Sequence, residues 1–137
     1  MTTSTYGQFK LHKYQNVLIA HVKGPTDVAS LLASPKETVA AVLSMGACWA
    51  SLMDLREWEL HTEEMVVHLI RFQKWLLKNG HKAEVALIGS SELKKAAREA
   101  LLNQLETRPE QIYVETEDQA WQWLIENGYC DSKQEEA

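Results

Sequence analysis

The sequence lacks the features that mark several classes of protein. Its 137 residues contain two cysteines, Cys48 and Cys130, which do not have the spacing of a metal-binding motif. Apolar runs such as Val17-Leu-Ile-Ala are far shorter than the roughly 20 residues that a membrane span requires. Lys and Arg total 14 against 19 Asp and Glu, and they form no basic stripe that would bind nucleic acid. These absences argue against a membrane-spanning protein and against a nucleic-acid-binding protein.

The composition is that of a globular domain, with 45% hydrophobic and 24% charged residues. We expect a single domain over residues 8–130, with flexible termini at residues 1–7 and 131–137, which are polar. The first five residues lack the basic and apolar regions of a signal peptide, and two unpaired thiols fit a reducing compartment. We therefore expect a cytoplasmic protein, with Cys48 as a small buried side chain.

Hydrophobic periodicity predicts five strands. Phe9 and Leu11 alternate with polar residues, and residues 17–22 form a continuous run rich in β-branched residues, so these two segments predict a hairpin. The other three predicted strands cover residues 49–54, 83–88 and 112–115. Long segments with helical spacing separate these strands, which therefore need crossover connections.

Capping signals mark the starts of the predicted helices. Residues 26–45 predict a helix in two pieces, and the second piece begins with the capping box Ser34-Pro-Lys-Glu37. A second helix is predicted from Thr62, a third after Ser91, and a fourth after the capping box Thr116-Glu-Asp-Gln119. The order ββαβαβαβα predicts an α/β domain with a mixed, mainly parallel five-stranded sheet whose first strand is antiparallel.

This order, together with Ala50-Ser-Leu-Met-Asp-Leu-Arg-Glu-Trp58 and a last helix bearing Ala120-Trp-Gln-Trp-Leu124, resembles the STAS-like group. That group includes the anti-sigma-factor antagonists and the SpoIIAA-like bacterial proteins. The resemblance covers roughly residues 8–128. It implies a sheet of sequentially ordered strands, no cofactor, and a role in protein contacts or small-ligand sensing.

The regulatory members of this group carry a phosphorylated serine in an Asp-Ser-Ser-Gly motif. The corresponding stretch here is Leu60-His-Thr-Glu-Glu64, in which His61 replaces the Asp and two glutamates replace the Ser-Gly. Two adjacent carboxylates would repel a phosphate. We therefore expect the phosphorylation switch to be absent and Thr62 to act as a helix N-cap.

The segment after the third strand is the first candidate for a functional surface. In parallel sheets, ligands and partners bind beyond the carboxyl ends of the strands. We predict an interaction loop there, formed by Asp54, Arg56, Glu57, Trp58, His61 and Thr62. The alternative is structural: Asp54 would bind backbone amides, Arg56 would pair with Glu57 or Glu59, and Trp58 would cover the core.

Two further patterns give weaker signals. Gly89, Ser90 and Ser91 join a strand to a helix and form a candidate anion-binding helix N-terminus, although a serine that caps the helix explains the same residues. His61, Glu64 and His68 have a spacing that could hold zinc on one helix face, but His61 is expected to precede the helix and no fourth ligand is evident. We predict no metal site.

The residues leave three functional classes open. The first is a non-enzymatic protein-interaction or regulatory module with an unknown protein partner. The second is a binding protein for a small apolar, lipid-like ligand, which would need a cavity of roughly 300 Å³ or more. An enzyme is the third class, and we predict against it because no catalytic pair is evident. A homodimer is also expected, because Trp58, Trp75, Trp121 and Trp123 offer apolar surface that a second copy would cover.

Overall fold

The computed structural model describes residues 8–26 and 35–134. In chain order, the elements are β1 (Gln8–Tyr14), β2 (Val17–Thr26), α1 (Pro35–Leu43), β3 (Trp49–His61), a 3₁₀ turn (Glu63–Met65), α2 (Val66–Lys78), β4 (His81–Leu87), α3 (Glu92–Leu102), β5 (Glu110–Val114) and α4 (Glu117–Glu126). Ser34, the predicted cap of the first helix, lies outside the described residues, as do residues 1–7, 27–33 and 135–137. None of the described helices is long and apolar enough to cross a membrane.

The five strands form one sheet in the order β1-β2-β3-β4-β5. β1 pairs antiparallel with β2, and each later pair is parallel. The hairpin closes at Gln15, whose φ of 52° supplies the left-handed residue of a tight turn. This topology confirms the predicted mixed sheet with an antiparallel first strand.

The helices lie unequally on the two faces of the sheet. Of the described helices, only α4 packs against one face, where Trp121 and Leu124 share a core cluster with Val17 and Leu52. Helices α1, α2 and α3 pack on the opposite face, which we call the three-helix face. The division follows from strand geometry, since neighbouring residues such as Val17 and Leu18 point to opposite sides.

The last helix, α4, begins and ends with the capping residues that the sequence predicts. Thr116 Oγ1 accepts a hydrogen bond from Gln119 N at 3.2 Å, while Gln119 Oε1 accepts one from Thr116 N at 3.2 Å. These reciprocal bonds are the predicted capping box. The helix ends at Asn127 and Gly128, and the Asn127 amide nitrogen bonds back to Trp123.

Beyond α4, the chain crosses the end of the hairpin. Asp131 N donates to Gln15 Oε1 at 2.9 Å, Tyr14 and Ser132 are joined by a 2.8 Å hydrogen bond, and His12 contacts Gln134 at 2.8 Å. The sequence predicts a flexible terminus from residue 131 because no large apolar residue is available there. In the structure, polar side chains make these contacts instead.

Two predictions about packing differ from the structure. Cys48 is exposed, so the prediction that it is a buried side chain is wrong. It lies in a bend directly before the first residue of β3, and the adjacent Trp49 takes the buried position. Trp58 and Trp121 are buried within the single chain, and Trp75 and Trp123 are half-buried and stack on Phe72 and Tyr129. These tryptophans do not provide the exposed apolar surface that motivated a homodimer.

Candidate functional site

The segment predicted as an interaction loop is part of a strand. β3 continues to His61, seven residues beyond its last pair with β4, Asp54 with Leu87. We call residues 55–61 the β3 extension. It pairs with the end of β2 through Lys23–Glu57 and Gly24–Trp58, with two register shifts. The loop prediction is therefore wrong, because charged residues interrupt the apolar pattern while the backbone stays paired.

The β3 extension has an inner and an outer side. Leu55 and Trp58 are buried, whereas Arg56, Glu57 and Glu59 are exposed. The register shifts explain why the buried residues are three apart rather than two. The backbone pairing to β2 therefore presents these charged side chains from a regular element rather than from a free loop.

Arg56 is held between two carboxylates just beyond the last residue pair of β3 and β4. Its Nε and Nη2 donate to Asp54 at 3.0 and 2.8 Å, and Nη2 also donates to Glu117 at 2.8 Å, in the first turn of α4. Burial favours a higher pKa for the Asp54 carboxyl, but the hydrogen bonds and charge of Arg56 outweigh it and lower the pKa. The expected partners Glu57 and Glu59 are replaced by Asp54 and Glu117.

Two further contacts fix this region. Asp54 Oδ1 accepts a hydrogen bond from Arg56 N at 3.2 Å, which is the backbone role proposed for it as a structural alternative. Glu57 pairs with His21 of β2 at 2.9 Å, and Lys94 of α3 donates to the Arg56 carbonyl at 2.6 Å. The outer side is thus linked to β2, α3 and α4.

Trp58 and His61 face inward, away from the exposed side. Trp58 Nε1 donates to Thr26 Oγ1 at 3.0 Å, and the Trp58 ring stacks on His61 with 6.1 Å between centroids. The pKa of His61 is lowered by burial and by the charge of Arg98. Trp58 is therefore a core residue, the alternative left open by the sequence.

Thr62 lies at the predicted helix start but does not act as predicted. It precedes the 3₁₀ turn with an extended backbone, and its hydroxyl makes no capping hydrogen bond. Backbone groups make the hydrogen bonds of this turn instead. Met65 N donates to the Thr62 carbonyl at 3.0 Å, and Thr62 N donates to Thr26 O at 3.2 Å. The prediction that its side chain caps the helix is wrong, because this first turn is 3₁₀ and α2 proper begins at Val66.

The turn after β4 contains the second candidate site. Ser91 is the N-cap of α3, and its hydroxyl accepts a hydrogen bond from Lys94 N at 3.2 Å. Gly89 has a φ of 64°, which a glycine adopts readily, and Ser90 is exposed. Ser91 thus fills the capping role that the sequence offered as the alternative to anion binding.

The three candidate metal ligands occupy different elements. His61 ends β3, Glu64 lies in the 3₁₀ turn and His68 lies in α2. Among residues 8–26 and 35–134, no group of three or more His, Cys, Asp or Glu side chains is arranged to hold a metal ion. The zinc alternative depends on one continuous helix, but His61 lies in a strand and the helical turns begin only after Thr62.

Sequence reasoning missed a cavity on the three-helix face. It has a volume of about 70 Å³ and lies between the sheet and α2. Its apolar lining includes Phe9, Leu11, Leu18, Phe72 and Leu76. The polar lining includes Ser51, Gln73, His81, Glu84 and Arg98, and all five of these residues are buried.

Four of the polar residues beside the cavity form two hydrogen-bonded pairs, Ser51 with His81 and Glu84 with Arg98. Ser51 Oγ lies 2.8 Å from His81 Nε2, and burial lowers the pKa of His81 to about 4, so the imidazole is neutral at pH 7. Glu84 accepts two hydrogen bonds from Arg98, one of them from Nε at 2.9 Å, and a third from Gln111 at 2.6 Å. Burial alone would raise the pKa of Glu84, but Arg98 lowers it, so this carboxylate is ionised.

Gln73 belongs to the same lining but is not paired. It is 4% exposed, and its Oε1 finds no hydrogen-bond donor in the described part of the chain. The sequence does signal a polar group at this place in the core, because Gln73 interrupts the apolar stripe of Leu69 and Leu76. Glu84 similarly interrupts the apolar strand between Ala83 and Val85.

Comparisons with known proteins identify the fold. No protein-family model and no curated protein sequence matches this chain. An uncharacterised DUF3478 protein with a SpoIIAA-like fold from Shewanella loihica PV-4 superposes with a TM-score of 0.68 at 15% identity, over 90% of this chain and 98% of that one.

Two anti-sigma factor antagonists are also similar. Unphosphorylated SpoIIAA gives a TM-score of 0.58 at 15% identity, covering 86% of this chain and 96% of its own. The antagonist from Mycobacterium paratuberculosis gives 0.52 at 16% identity, covering 90% and 97%. This chain therefore has the SpoIIAA-like fold that the sequence resemblance implied.

Proposed function

We propose that the protein is a non-enzymatic interaction module of the cytoplasm, and that it binds a partner protein through the outer side of the β3 extension. The observation that carries this proposal is the position of Arg56. Its side chain is 44% exposed, yet two carboxylates on different elements hold its guanidinium in one orientation. A pre-ordered arginine loses little side-chain entropy on binding, and arginine is frequent among residues that dominate interface energies.

Neighbouring residues fit the same role. Glu57 and Glu59 are exposed on the same segment, and Thr62, which directly follows it, is also exposed. The carboxyl ends of parallel strands are the usual binding edge of an α/β sheet. The solved antagonists that share the fold are named for their action on anti-sigma factors, which are proteins. We infer that binding here does not depend on a phosphate at Thr62, because Glu63 and Glu64 follow it directly.

The test is quantitative capture from the native cytoplasm with the full chain as bait. Wild-type protein should retain one partner in stoichiometric amount, and Arg56→Glu should lose at least nine-tenths of it. Lys82→Glu is the matched control, since it makes the same charge change at an exposed position on β4, away from Arg56. Equal capture by Arg56→Glu, or capture of no partner by wild type, would overturn the proposal.

The cavity supports a second candidate function, the binding of a small apolar ligand. Its lining is mostly apolar, and it includes Gln73, whose buried Oε1 has no partner among the described residues. At about 70 Å³, it is smaller than the roughly 300 Å³ expected for a whole lipid-like molecule. The ligand is therefore either small enough to fit entirely within the cavity, or a longer molecule of which only one end enters it.

Extraction of the purified protein into organic solvent, followed by mass spectrometry, tests this second function. We expect one apolar compound at a fixed ratio to protein. Ala20→Leu should abolish its retention, because Ala20 lines the cavity and the larger side chain fills it. Ala40→Leu, at an exposed position on α1, should retain the compound. Retention by Ala20→Leu would overturn binding in this cavity.

A further inference from the structure

The cavity has an apolar side and a polar side. Its apolar side is formed by the hairpin, with Phe9 and Leu11 from edge strand β1 and Leu18 from β2. Phe9 and Leu11 are only half-buried, so the cavity approaches the surface at this edge. The buried polar groups come instead from β3, β4, α2 and α3. Two half-buried polar residues, Thr26 and His61, line the cavity at the ends of β2 and β3. A molecule that enters past β1 therefore meets the polar groups with its leading end.

The charges at the deep end are already neutralised. Glu84 and Arg98 are both buried and bind each other, and His81 is joined to Ser51. An ionised ligand would find no unpaired opposite charge, and it would lose its hydration without compensation. The deep end therefore disfavours both a carboxylate and an ammonium group.

Gln73 supplies one of three buried polar atoms in the cavity lining that lack a partner among the described residues, the others being Nδ1 of His61 and Nδ1 of His81. Gln73 Oε1 is a hydrogen-bond acceptor in an apolar helix stripe, and a buried acceptor without a donor is unfavourable. A hydroxyl can donate to this oxygen and still accept a bond elsewhere, whereas a plain hydrocarbon would leave it unsatisfied.

We propose that this cavity takes the hydroxyl end of a neutral aliphatic alcohol, with the hydroxyl donating to Gln73 Oε1 and the hydrocarbon chain running out past Leu11 and Phe9. The inference rests on the second proposed function and names its ligand class. The volume agrees with entry by one end: at about 70 Å³ the cavity exceeds the roughly 10–15 Å³ that a single water needs, yet it is well below the roughly 300 Å³ of a pocket that encloses a whole ligand.

The test compares three probes of equal chain length, 1-hexanol, hexanoate and hexylammonium, by NMR titration of the full chain. 1-Hexanol should bind saturably, with shifts confined to the residues that line the cavity, and at least tenfold more tightly than either ion. Sites built to hydrogen-bond a hydroxyl discriminate strongly against analogues that lack it. Gln73→Leu should weaken 1-hexanol binding at least fivefold, while Gln122→Leu, at an exposed position on α4, should not change it.

The outcomes separate the two proposals. Equal or tighter binding of hexanoate or hexylammonium would overturn the alcohol class while supporting a ligand cavity. Absence of saturable binding by all three probes, or shifts outside the lining, would overturn both the alcohol class and this cavity as a ligand site. Unchanged 1-hexanol binding in folded Gln73→Leu would overturn the role of Gln73. The comparison of probes on wild-type protein decides the class even if that variant does not fold.

Discussion

Glu84 of β4 and Arg98 of α3 form an ion pair buried on the three-helix face, between the sheet and α3. Arg98 Nε donates to Glu84 Oε2 at 2.9 Å, and Gln111 of β5 donates to the same oxygen at 2.6 Å. The pair ties α3 to two neighbouring strands. Because both groups are buried away from water, the attraction between them mainly offsets the hydration that they lose on folding. The pair therefore specifies where α3 sits more than it adds to stability.

Removing one partner should cost far more than removing both. We expect Glu84→Gln to lower the free energy of unfolding by about 3–5 kcal/mol, because Arg98 is left buried and unpaired. The double variant Glu84→Leu with Arg98→Met should be at least about 2 kcal/mol more stable than Glu84→Gln, since it buries no charge. Urea denaturation at pH 7 measures both.

Glu57→Gln is the control for this comparison, because it removes the same charge from an exposed pair. Its loss should stay below about 1 kcal/mol. A double variant no more stable than Glu84→Gln would contradict the argument that an unpaired buried charge causes the loss.

His81 should make the protein less stable in mild acid. Burial lowers its pKa from 6.5 to about 4, so between these values the unfolded chain binds a proton that the folded chain does not. The resulting stability is complete above pH 6.5 and is lost as the pH falls toward 4. At about 1.4 kcal/mol per pKa unit, the loss is about 3 kcal/mol.

The measurement is urea denaturation of wild type and His81→Gln between pH 7 and 4. The variant should lack this part of the pH dependence, whatever its stability at pH 7. His68→Gln changes an exposed histidine of α2 and should follow wild type. Parallel curves for wild type and His81→Gln would show that His81 is not responsible.

Thr62 and Thr116 should differ although both precede a helical turn. Only Thr116 uses its hydroxyl as a cap. Thr116→Ala should therefore lower the free energy of unfolding by about 1 kcal/mol, and Thr62→Ala by less than about 0.5 kcal/mol. Chemical denaturation of the two variants side by side is the test, and equal losses would mean that Thr62 does cap in solution.

The order of elements could be predicted because each depends on local signals. The crossover helices carry apolar residues at helical spacing, and Thr116 and Ser91 stand where caps are needed. Sequence reasoning failed where tertiary contacts override local pattern. Arg56, Glu57 and Glu59 made the β3 extension look like a loop, although backbone pairing to β2 keeps it a strand.

The site was predicted only in part for the same reason. Arg56 was singled out, but its partner Glu117 lies 61 residues further on and only the fold brings it close. Trp58 is predicted either in the interaction loop or over the core, and the structure buries it in the core, where its indole N–H donates to Thr26 of the neighbouring strand. The cavity depends on how α2 rests on the hairpin. The sequence signals it through two polar residues within apolar patterns, Gln73 in α2 and Glu84 in β4.

Gly80 should tolerate no side chain, because two backbone segments meet there. A Cβ at this position would lie 2.6 Å from the Gly46 carbonyl oxygen and 2.8 Å from the Ala47 carbonyl carbon. The contact holds the start of β3 against the end of α2, where Trp49 N bonds to the Gly80 carbonyl at 3.0 Å. Its φ of 100° adds backbone strain for any other residue.

Gly80→Ala should therefore lower the free energy of unfolding by about 3 kcal/mol, from steric overlap and backbone strain together. Gly128 is the matched control: its φ is 80°, but nothing lies within 4 Å of its added Cβ. Gly128→Ala should cost only the strain, about 1 kcal/mol. Urea denaturation of both variants separates the two contributions. Equal losses would mean that the bend at Gly46 and Ala47 moves aside freely and does not fix the start of β3.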